Sequence, residues 1–272
     1  MNTSNKSLKE IIDKLMISEY VNDYSLLSNI IKPAIGIRHS QQKKISKLGG
    51  NPFFPPNFDM CDYVDESLIF LCQISVEEYR LYDEYNYLPS DSILYFYVNK
   101  DLGYPIKKED YKVFCLSVNK DSLEEQTNYA KKIEELYINF FTHYNFPSYQ
   151  SYEMVELEQE GIDLDEEIEE IQEFINDYNK ISLGCEGSQL FGNPQALQGT
   201  VTFHWALKSL DLNYQLSEDE LNRLKEVEKE FVLLLQVDLS ELSFVDSFGD
   251  GIFYFGIRKK DLLNKEFSKV QL

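Results

Sequence analysis

The sequence has no long apolar run and little cysteine, and both absences narrow where the protein can work. No stretch of about 20 apolar residues occurs, so we expect no membrane-spanning helix. Residues 1–7 show no apolar core of a secretory signal. The four cysteines form no Cys-x-x-Cys pair, and a chain of 272 residues does not need disulfide staples. These features predict reduced thiols in a cytoplasmic protein.

Positive charge is also scarce. The chain has 26 lysines and arginines against 47 aspartates and glutamates, which gives a formal net charge of −21. Such a surface repels phosphate groups, so it argues against binding to nucleic acid or to anionic membranes. It would attract a basic protein and speed the encounter with it. The alternative interpretation is that the charge only keeps the protein soluble.

Residues suited to metal binding or catalysis are few. The three histidines are far apart in sequence and none forms His-x-x-x-His, so we predict no metal and no cofactor. Cys185 and His204 could meet as a thiolate pair, but a lone cysteine is more often an inert apolar side chain. Arg38, one of four arginines, could grip an anion or simply pair with one of the many acids. The carboxylates of residues 163–170 lack the spacing of a calcium-binding loop.

Apolar residues are plentiful and form strand-length runs. They make up 43% of the chain, with 18 phenylalanines and 19 tyrosines, which is enough for a large core. Nearly continuous apolar runs predict buried strands. The predicted strands cover residues 34–37, 68–74, 93–98, 111–118, 231–237 and 252–257.

Four further segments have helical spacing. Residues 7–31 form an apolar face, and Pro33 is predicted to end that helix. Ser122 with Glu125 resembles a capping box, which predicts a helix to about residue 144. Residues 153–179 predict an amphipathic helix with a solvated acidic side. Ser217 with Glu220 forms a clear capping box for a fourth helix.

The sequence contains an internal repeat. Residues 46–52, Ser-Lys-Leu-Gly-Gly-Asn-Pro, return at residues 188–194 as Ser-Gln-Leu-Phe-Gly-Asn-Pro. The predicted strand that carries Gln73 has a counterpart that carries Gln236. An aromatic strand that follows an aspartate has a counterpart that follows Asp250. Three blocks in the same order predict a duplicated unit. We therefore expect an α+β fold with pseudo-twofold symmetry, in which the two copies share one sheet or one core.

This organisation divides the chain into four segments within one compact domain. Residues 1–36 are the N-terminal helical segment and residues 37–121 the first repeat unit. Residues 122–180 are a helical acidic insert, and residues 181–272 are the second repeat unit.

The repeated blocks resemble the YwqG-like family, also described as the DUF1963 domain. The Ser-Lys-Leu-Gly-Gly-x-Pro motif, the strand with a central glutamine and the aromatic strand are similar to its first signature. Residues 234–238 and 249–255 are similar to its second signature. Phe54 and Phe248 stand where the family usually has tryptophan. The resemblance implies no defined reaction, and some members resemble components of bacterial toxin–immunity neighbourhoods.

The repeated positions are the candidates for a ligand site. The glycine loops match no phosphate-loop motif, so a structural turn is the favoured interpretation and ligand contact the alternative. A buried glutamine must pair both ends of its amide. Each therefore either ties down its own loop or lines a shared pocket on the pseudo-twofold axis. The ligand or pocket candidates are Arg38, Gly49, Gly50, Asn51, Gln73, Gly192, Asn193, Gln236 and Asp250.

The acidic side of the insert is the candidate docking surface for a basic protein. Its members are Asp163, Asp165, Glu166, Glu167, Glu169 and Glu170. The favoured function is a non-catalytic, protein-binding module of the immunity type, which neutralises a toxin-like basic partner. The alternative is a small-molecule binder or enzyme with a pocket between the two copies.

Overall fold

A computed structural model describes residues 13, 28–127, 133–148, 150–159, 187–196, 199–240 and 251–272. Within these ranges the strands are β1 Lys32–His39, β2 Lys47–Leu48, β3 Phe53–Phe54, β4 Leu68–Ser75, β5 Ser92–Asn99, β6 Tyr111–Ser117, β7 Glu124–Glu125, β8 Leu136–Asn145, β9 Gln189–Phe191, β10 Phe231–Asp238 and β11 Ile252–Arg258. The α-helices are α1 Val76–Tyr79, α2 Tyr152–Gln159, α3 Val201–Ser209, α4 Glu218–Glu228 and α5 Lys259–Leu263. Short 3-10 helices cover Met60–Asp62, Arg80–Tyr82, Lys108–Asp110, Lys120–Ser122 and Phe267–Lys269.

Nine of the strands form one antiparallel sheet. Their order is β11-β10-β9-β1-β8-β2-β4-β5-β6, and β3 pairs with β7 separately. Strands β1 and β8 lie at the centre, in a register that runs from Lys32 opposite Asn145 to His39 opposite Ile138. The fold is thus strand-rich with a few helices, which agrees with the predicted α+β class.

Both faces of the sheet are buried, which explains why its strands read as continuous apolar runs. In β5, Leu94 and Phe96 belong to the large core on one face. The alternating residues Ile93 and Tyr95 belong to a smaller cluster on the other face. The predicted strands at residues 68–74, 93–98, 111–118, 231–237 and 252–257 are confirmed within one or two residues.

The helices α3 and α4 cover the sheet near β10 and β11. Ser217 caps α4 by accepting from the Glu220 backbone N–H, so the predicted capping box is confirmed. Trp205 of α3 is 2% exposed and lies over Gly256 of β11. A Cβ at Gly256 would come within 2.3 Å of the indole, so this glycine allows the helix to approach the sheet.

The helix predicted from Ser122 to residue 144 is wrong for the part that the structure describes. Residues 124–125 form β7, and residues 136–145 form the central strand β8. Ile138 and Phe140 are buried at alternate positions, which is the period of a strand. Tyr137 and Phe141, at half-buried positions on either side of this pair, obscure the alternation and imitate a helical face. The 122–180 segment is therefore not wholly helical, although α2 lies within it.

The start of the chain also differs in detail. The predicted strand at residues 34–37 is confirmed, but it is longer and includes Pro33. Residues 28–30 are helical, so that helix ends before the proline. The rest of the predicted N-terminal helix, apart from Asp13, and the acidic residues 163–170 lie outside the described residues. None of the described helices combines the length and apolar character needed to cross a bilayer.

Candidate functional site

Gln73 ties the first glycine loop to strand β4. Its side chain is fully buried, and its Oε1 accepts from the Phe53 backbone N–H at 2.8 Å. Its Nε2 donates to the Ile45 carbonyl at 2.8 Å. The Tyr95 hydroxyl donates to the Phe53 carbonyl at 2.7 Å. The two ends of the loop are thus held by side chains of β4 and β5.

Gln236 makes the matching contacts in the second loop. Its Oε1 accepts from the Gln195 backbone N–H at 2.9 Å, and its Nε2 donates to the Gly187 carbonyl. The Tyr254 hydroxyl donates to the Gln195 carbonyl at 2.8 Å. Both amide ends of each glutamine are therefore used within its own loop, as the structural interpretation expects.

The first serine of each loop also repeats its contact. Ser46 Oγ accepts from the Ser75 backbone N–H at 2.8 Å. Ser188 Oγ accepts from the Asp238 backbone N–H at 2.9 Å. Each serine thus binds the backbone two residues after the glutamine of its loop.

The two central strands are exchanged between the loops. Strand β1 precedes the first loop but pairs with the second, and strand β8 precedes the second loop but pairs with the first. The Ile37 N–H of β1 donates to the Ser188 carbonyl of the second loop at 3.1 Å. The Ile138 N–H of β8 donates to the Ser46 carbonyl of the first loop at 3.3 Å. Accordingly β1 pairs with β9, and β8 pairs with β2.

Both loops leave the sheet through two residues with positive φ. In the first loop these are Gly49 at +61° and Gly50 at +74°. In the second they are Phe191 at +58° and Gly192 at +71°. A non-glycine residue in this region costs about 1–3 kcal/mol, so other contacts must hold Phe191 there.

Aromatic packing supplies those contacts. The Phe191 ring is 1% exposed. It lies edge-to-face against Tyr79, Tyr85 and Tyr87, with centroid distances of 6.3, 5.6 and 5.4 Å. Edge-to-face pairs of this kind contribute beyond their buried area. The strained residue therefore joins the second loop to tyrosines from the N-terminal half of the chain.

A cleft opens where β9 ends at Phe191. Strands β1 and β10 extend past that end, and the space beside their first residues has a volume of about 410 Å³. Lys32 and Tyr87 of the N-terminal half line it, together with Asn193, Phe231 and Lys259 of the C-terminal half. Clefts of this size commonly take small molecules.

Three lysines line this cleft, and two of them are paired. The Lys32 ammonium lies 2.6 Å from a Glu153 oxygen, and Lys229 lies 2.6 Å from Glu156. Lys259 is the third. Only one carboxylate, that of Glu153, is among the described lining residues.

A buried carboxyl group lies next to the cleft. Glu228, at the end of α4, is 4% exposed and accepts from Thr202 Oγ1 at 2.6 Å. Burial raises the pKa of Glu228, and the nearby Glu153 carboxylate raises it further. Glu228 lines a smaller cavity of about 190 Å³ beside Lys229. The hydrogen bond from Thr202 opposes this rise in the pKa of Glu228. A carboxyl group with a shifted pKa beside a cavity is a candidate for a functional role as well as for a structural one. No sequence pattern distinguishes it from the other glutamates of α4.

Of the predicted site residues that the structure describes, only Gly192 and Asn193 line the cleft. Gly49, Gly50 and Asn51 lie in the first loop, where Asn51 Nδ2 donates to Glu125 at 3.1 Å.

The remaining predicted residues lie elsewhere. Arg38 is exposed on β1, and its guanidinium carbon lies 5.6 Å from the centroid of the Phe141 ring. Asp250, Cys185 and the docking candidates at residues 163–170 lie outside the described residues. His204 Nδ1 lies 3.1 Å from the Tyr214 hydroxyl. No group of three potential metal ligands occurs in the part of the chain that is described.

The first loop has a buried lysine that the second loop lacks. Lys47 is fully buried, and its ammonium lies 2.7 Å from Glu135 and 4.0 Å from the Phe53 ring centroid. Burial lowers the pKa of Lys47, and the Glu135 carboxylate opposes that change. Gln189 occupies the matching position in the second loop, where it accepts from Asn145 Nδ2 at 3.0 Å.

Removing the partner of Lys47 should destabilise the protein. Glu135→Gln is expected to lower the free energy of unfolding by about 2 kcal/mol, because it leaves a buried ammonium without the opposite charge that lies 2.7 Å away. Lys47→Met should cost less, and the double variant should recover most of the loss. Urea titration measures each value. Glu134→Gln, an exposed neighbour, is the matched control, and an equal loss in that variant would contradict the prediction.

Together, the loops and the cleft define an α+β protein with a nine-stranded antiparallel sheet and two similarly anchored loops. The family model of DUF1963, a domain of unknown function, matches residues 46–272. The chain therefore belongs to the DUF1963 family. No curated protein matches it.

Proposed function

We propose that this protein is a cytoplasmic binding module of the YwqG-like type that recognises a basic protein, as an immunity protein recognises a toxin. The observation that carries the proposal is the formal charge of −21, with 47 acidic against 26 basic residues. A field of that size and sign steers a basic partner toward the surface and accelerates association.

The described surface also carries a second group of carboxylates, in a different segment of the chain from the proposed docking residues 163–170. Asp59, Asp62, Asp65 and Glu66 are all exposed in the short segment before β4. The Asp59 carboxylate is the largest of the effects that raise the pKa of the Cys61 thiol. Burial, Glu66 and Asp62 raise it further. Several carboxylates therefore act together on one surface.

We also propose that the two halves arose by duplication. The matched bonds of Gln73 and Gln236, the matched serines and the exchanged central strands support this origin. A specific function is then expected at matched positions where the two copies carry different residues. They include Lys47 opposite Gln189 and Phe54 opposite Ala196.

The docking proposal is tested by neutralising the acidic insert. The variant with amides at Asp165, Glu166, Glu169 and Glu170 should associate about tenfold more slowly at low salt with a basic protein encoded by a neighbouring gene. Association is measured by surface plasmon resonance at several salt concentrations.

The matched control removes the same number of charges elsewhere. Amides at Asp59, Asp62, Asp65 and Glu66 should slow association less, because that surface is not the proposed contact. Circular dichroism checks that both variants remain folded. Unchanged association in the insert variant, or neighbouring genes that encode no basic protein, would contradict the proposal.

The second candidate function is a small-molecule binder or an enzyme that uses the cleft. The observation that favours it is that both halves of the chain line one cleft of about 410 Å³, with the buried Glu228 close by.

A further inference from the structure

We propose that the cleft at the end of β9 binds a small organic anion that carries a flat apolar group. The proposal rests on the second candidate function, ligand binding in the cleft, and adds the chemical class of the ligand. The first support is charge. Three lysines and one glutamate line the cleft among the described residues, whereas acids outnumber bases in the whole chain. Bases therefore outnumber acids among the described lining residues, which is the opposite of the whole chain.

Lys259 is the cation that is available to a ligand. Its ammonium lies 5.7 Å from the centroid of the Tyr87 ring, and no carboxylate of the described residues pairs with it. The adjacent Lys260 behaves differently, because it lies 3.2 Å from Glu230. The two adjacent lysines therefore differ in ion pairing. Lys259, which has no acidic partner among the described residues, is the one that lines the cleft.

Tyr87, whose ring lies near Lys259, provides a second donor. Its hydroxyl has no hydrogen-bonding partner among the described residues, whereas the Tyr85 hydroxyl donates to the Pro33 carbonyl at 2.9 Å. Burial raises the pKa of the Tyr87 hydroxyl, so it stays protonated at neutral pH and can donate. An ammonium and a hydroxyl from two residues that line the same cleft suit a carboxylate or a phosphate.

The apolar part of the ligand is selected by flat aromatic surfaces. The rings of Tyr85 and Tyr87 are stacked with centroids 5.0 Å apart and an interplanar angle of 11°. Phe231 lines the cleft from the other half and is 7% exposed. Such walls favour a planar group that can stack or meet a ring edge.

The comparison of the two loops explains why there is space for a ligand here. Phe54 in the first loop is fully buried and stacks on Phe58 at 4.3 Å and on Tyr95 at 4.8 Å. The matching position in the second loop is Ala196, which lines the cleft. A methyl group thus stands where the first loop has a phenyl ring.

The test uses a charged probe and its neutral counterpart on the full-length protein. Binding of 1-naphthoate and 1-naphthamide is measured by isothermal titration calorimetry. The wild type should bind the carboxylate about tenfold more tightly than the amide. Lys259→Gln should remove that difference, while Lys260→Gln, the matched loss of one charge, should keep it. Ala196→Phe should abolish binding of both probes without unfolding the protein.

The possible outcomes separate the anion proposal from ligand binding itself. Equal affinity of the wild type for the two probes, with both lost in Ala196→Phe, overturns the anion proposal and leaves the cleft as a binding site. Absence of binding by either probe overturns both. Equal effects of Lys259→Gln and Lys260→Gln mean that only the general charge matters, and this also overturns the proposed role of Lys259.

Discussion

Replacing Gln73 with alanine is expected to lower the free energy of unfolding by about 3–5 kcal/mol. The substitution removes a buried amide, so the Phe53 N–H and the Ile45 carbonyl lose their hydrogen-bonding partner. It also opens a cavity. Gln236→Ala should cause a similar loss, because its amide bridges the second loop in the same way. Urea titration followed by circular dichroism measures both values.

Two controls separate hydrogen bonding from packing. Gln73→Met keeps most of the volume but removes the amide and leaves its backbone partners unpaired, so it should lose nearly as much stability as alanine. Gln42→Ala changes an exposed glutamine and should lose less than about 0.5 kcal/mol. If Gln73→Ala folds with unchanged stability but loses binding to a ligand, the glutamine acts in a pocket and the scaffold role is wrong.

Acidification should destabilise the protein through His143. Burial lowers the pKa of this histidine to about 4, and its Nδ1 has no hydrogen-bonding partner among the described residues. Between about pH 6.5 and pH 4 the unfolded chain binds a proton that the folded protein does not bind. Stability is therefore lost as the pH falls through this window. The loss from this one group is about 3 kcal/mol, since one pKa unit corresponds to about 1.4 kcal/mol.

The measurement compares wild type with His143→Leu by urea titration from pH 7.5 to pH 4. The variant should lose about 3 kcal/mol less than wild type over this range. His39→Gln, at an exposed position of β1, should follow the wild type. Parallel curves for wild type and His143→Leu would show that His143 has the same pKa in the folded and the unfolded protein, contrary to this expectation.

The strands that can be predicted are those that a short stretch of sequence is enough to identify. Strands β4, β5 and β10 are buried on both faces, so each forms an apolar run between turns. Strand β8 was missed because aromatic residues occupy its half-buried positions and hide the alternation of Ile138 and Phe140. Its main partner, β1, is also far away in sequence, and no local pattern shows such a pairing.

The candidate site was predictable only in part. The repeat pointed to Gln73 and Gln236, because copies of a motif keep the residues that hold their loops. A pocket between the two copies was offered as the alternative, but the position of the cleft was not predicted, because it depends on where β9 stops. That end is set by the backbone angles at Phe191, and a phenylalanine gives no sequence signal for positive φ. Its lining residues Lys32, Tyr87 and Lys259 come from three distant segments.

Because the central strands are exchanged, strands of the first half lack a pairing partner while the rest of the chain is being synthesised. When the ribosome has produced residues up to 127, strand β1 and the glycine loop of the first half are complete. Strand β8, which pairs with both β1 and β2, has not yet emerged. Unpaired strand edges invite association with other chains. We therefore expect the first half expressed alone to aggregate, and we expect co-expression with residues 128–272 to restore a soluble complex.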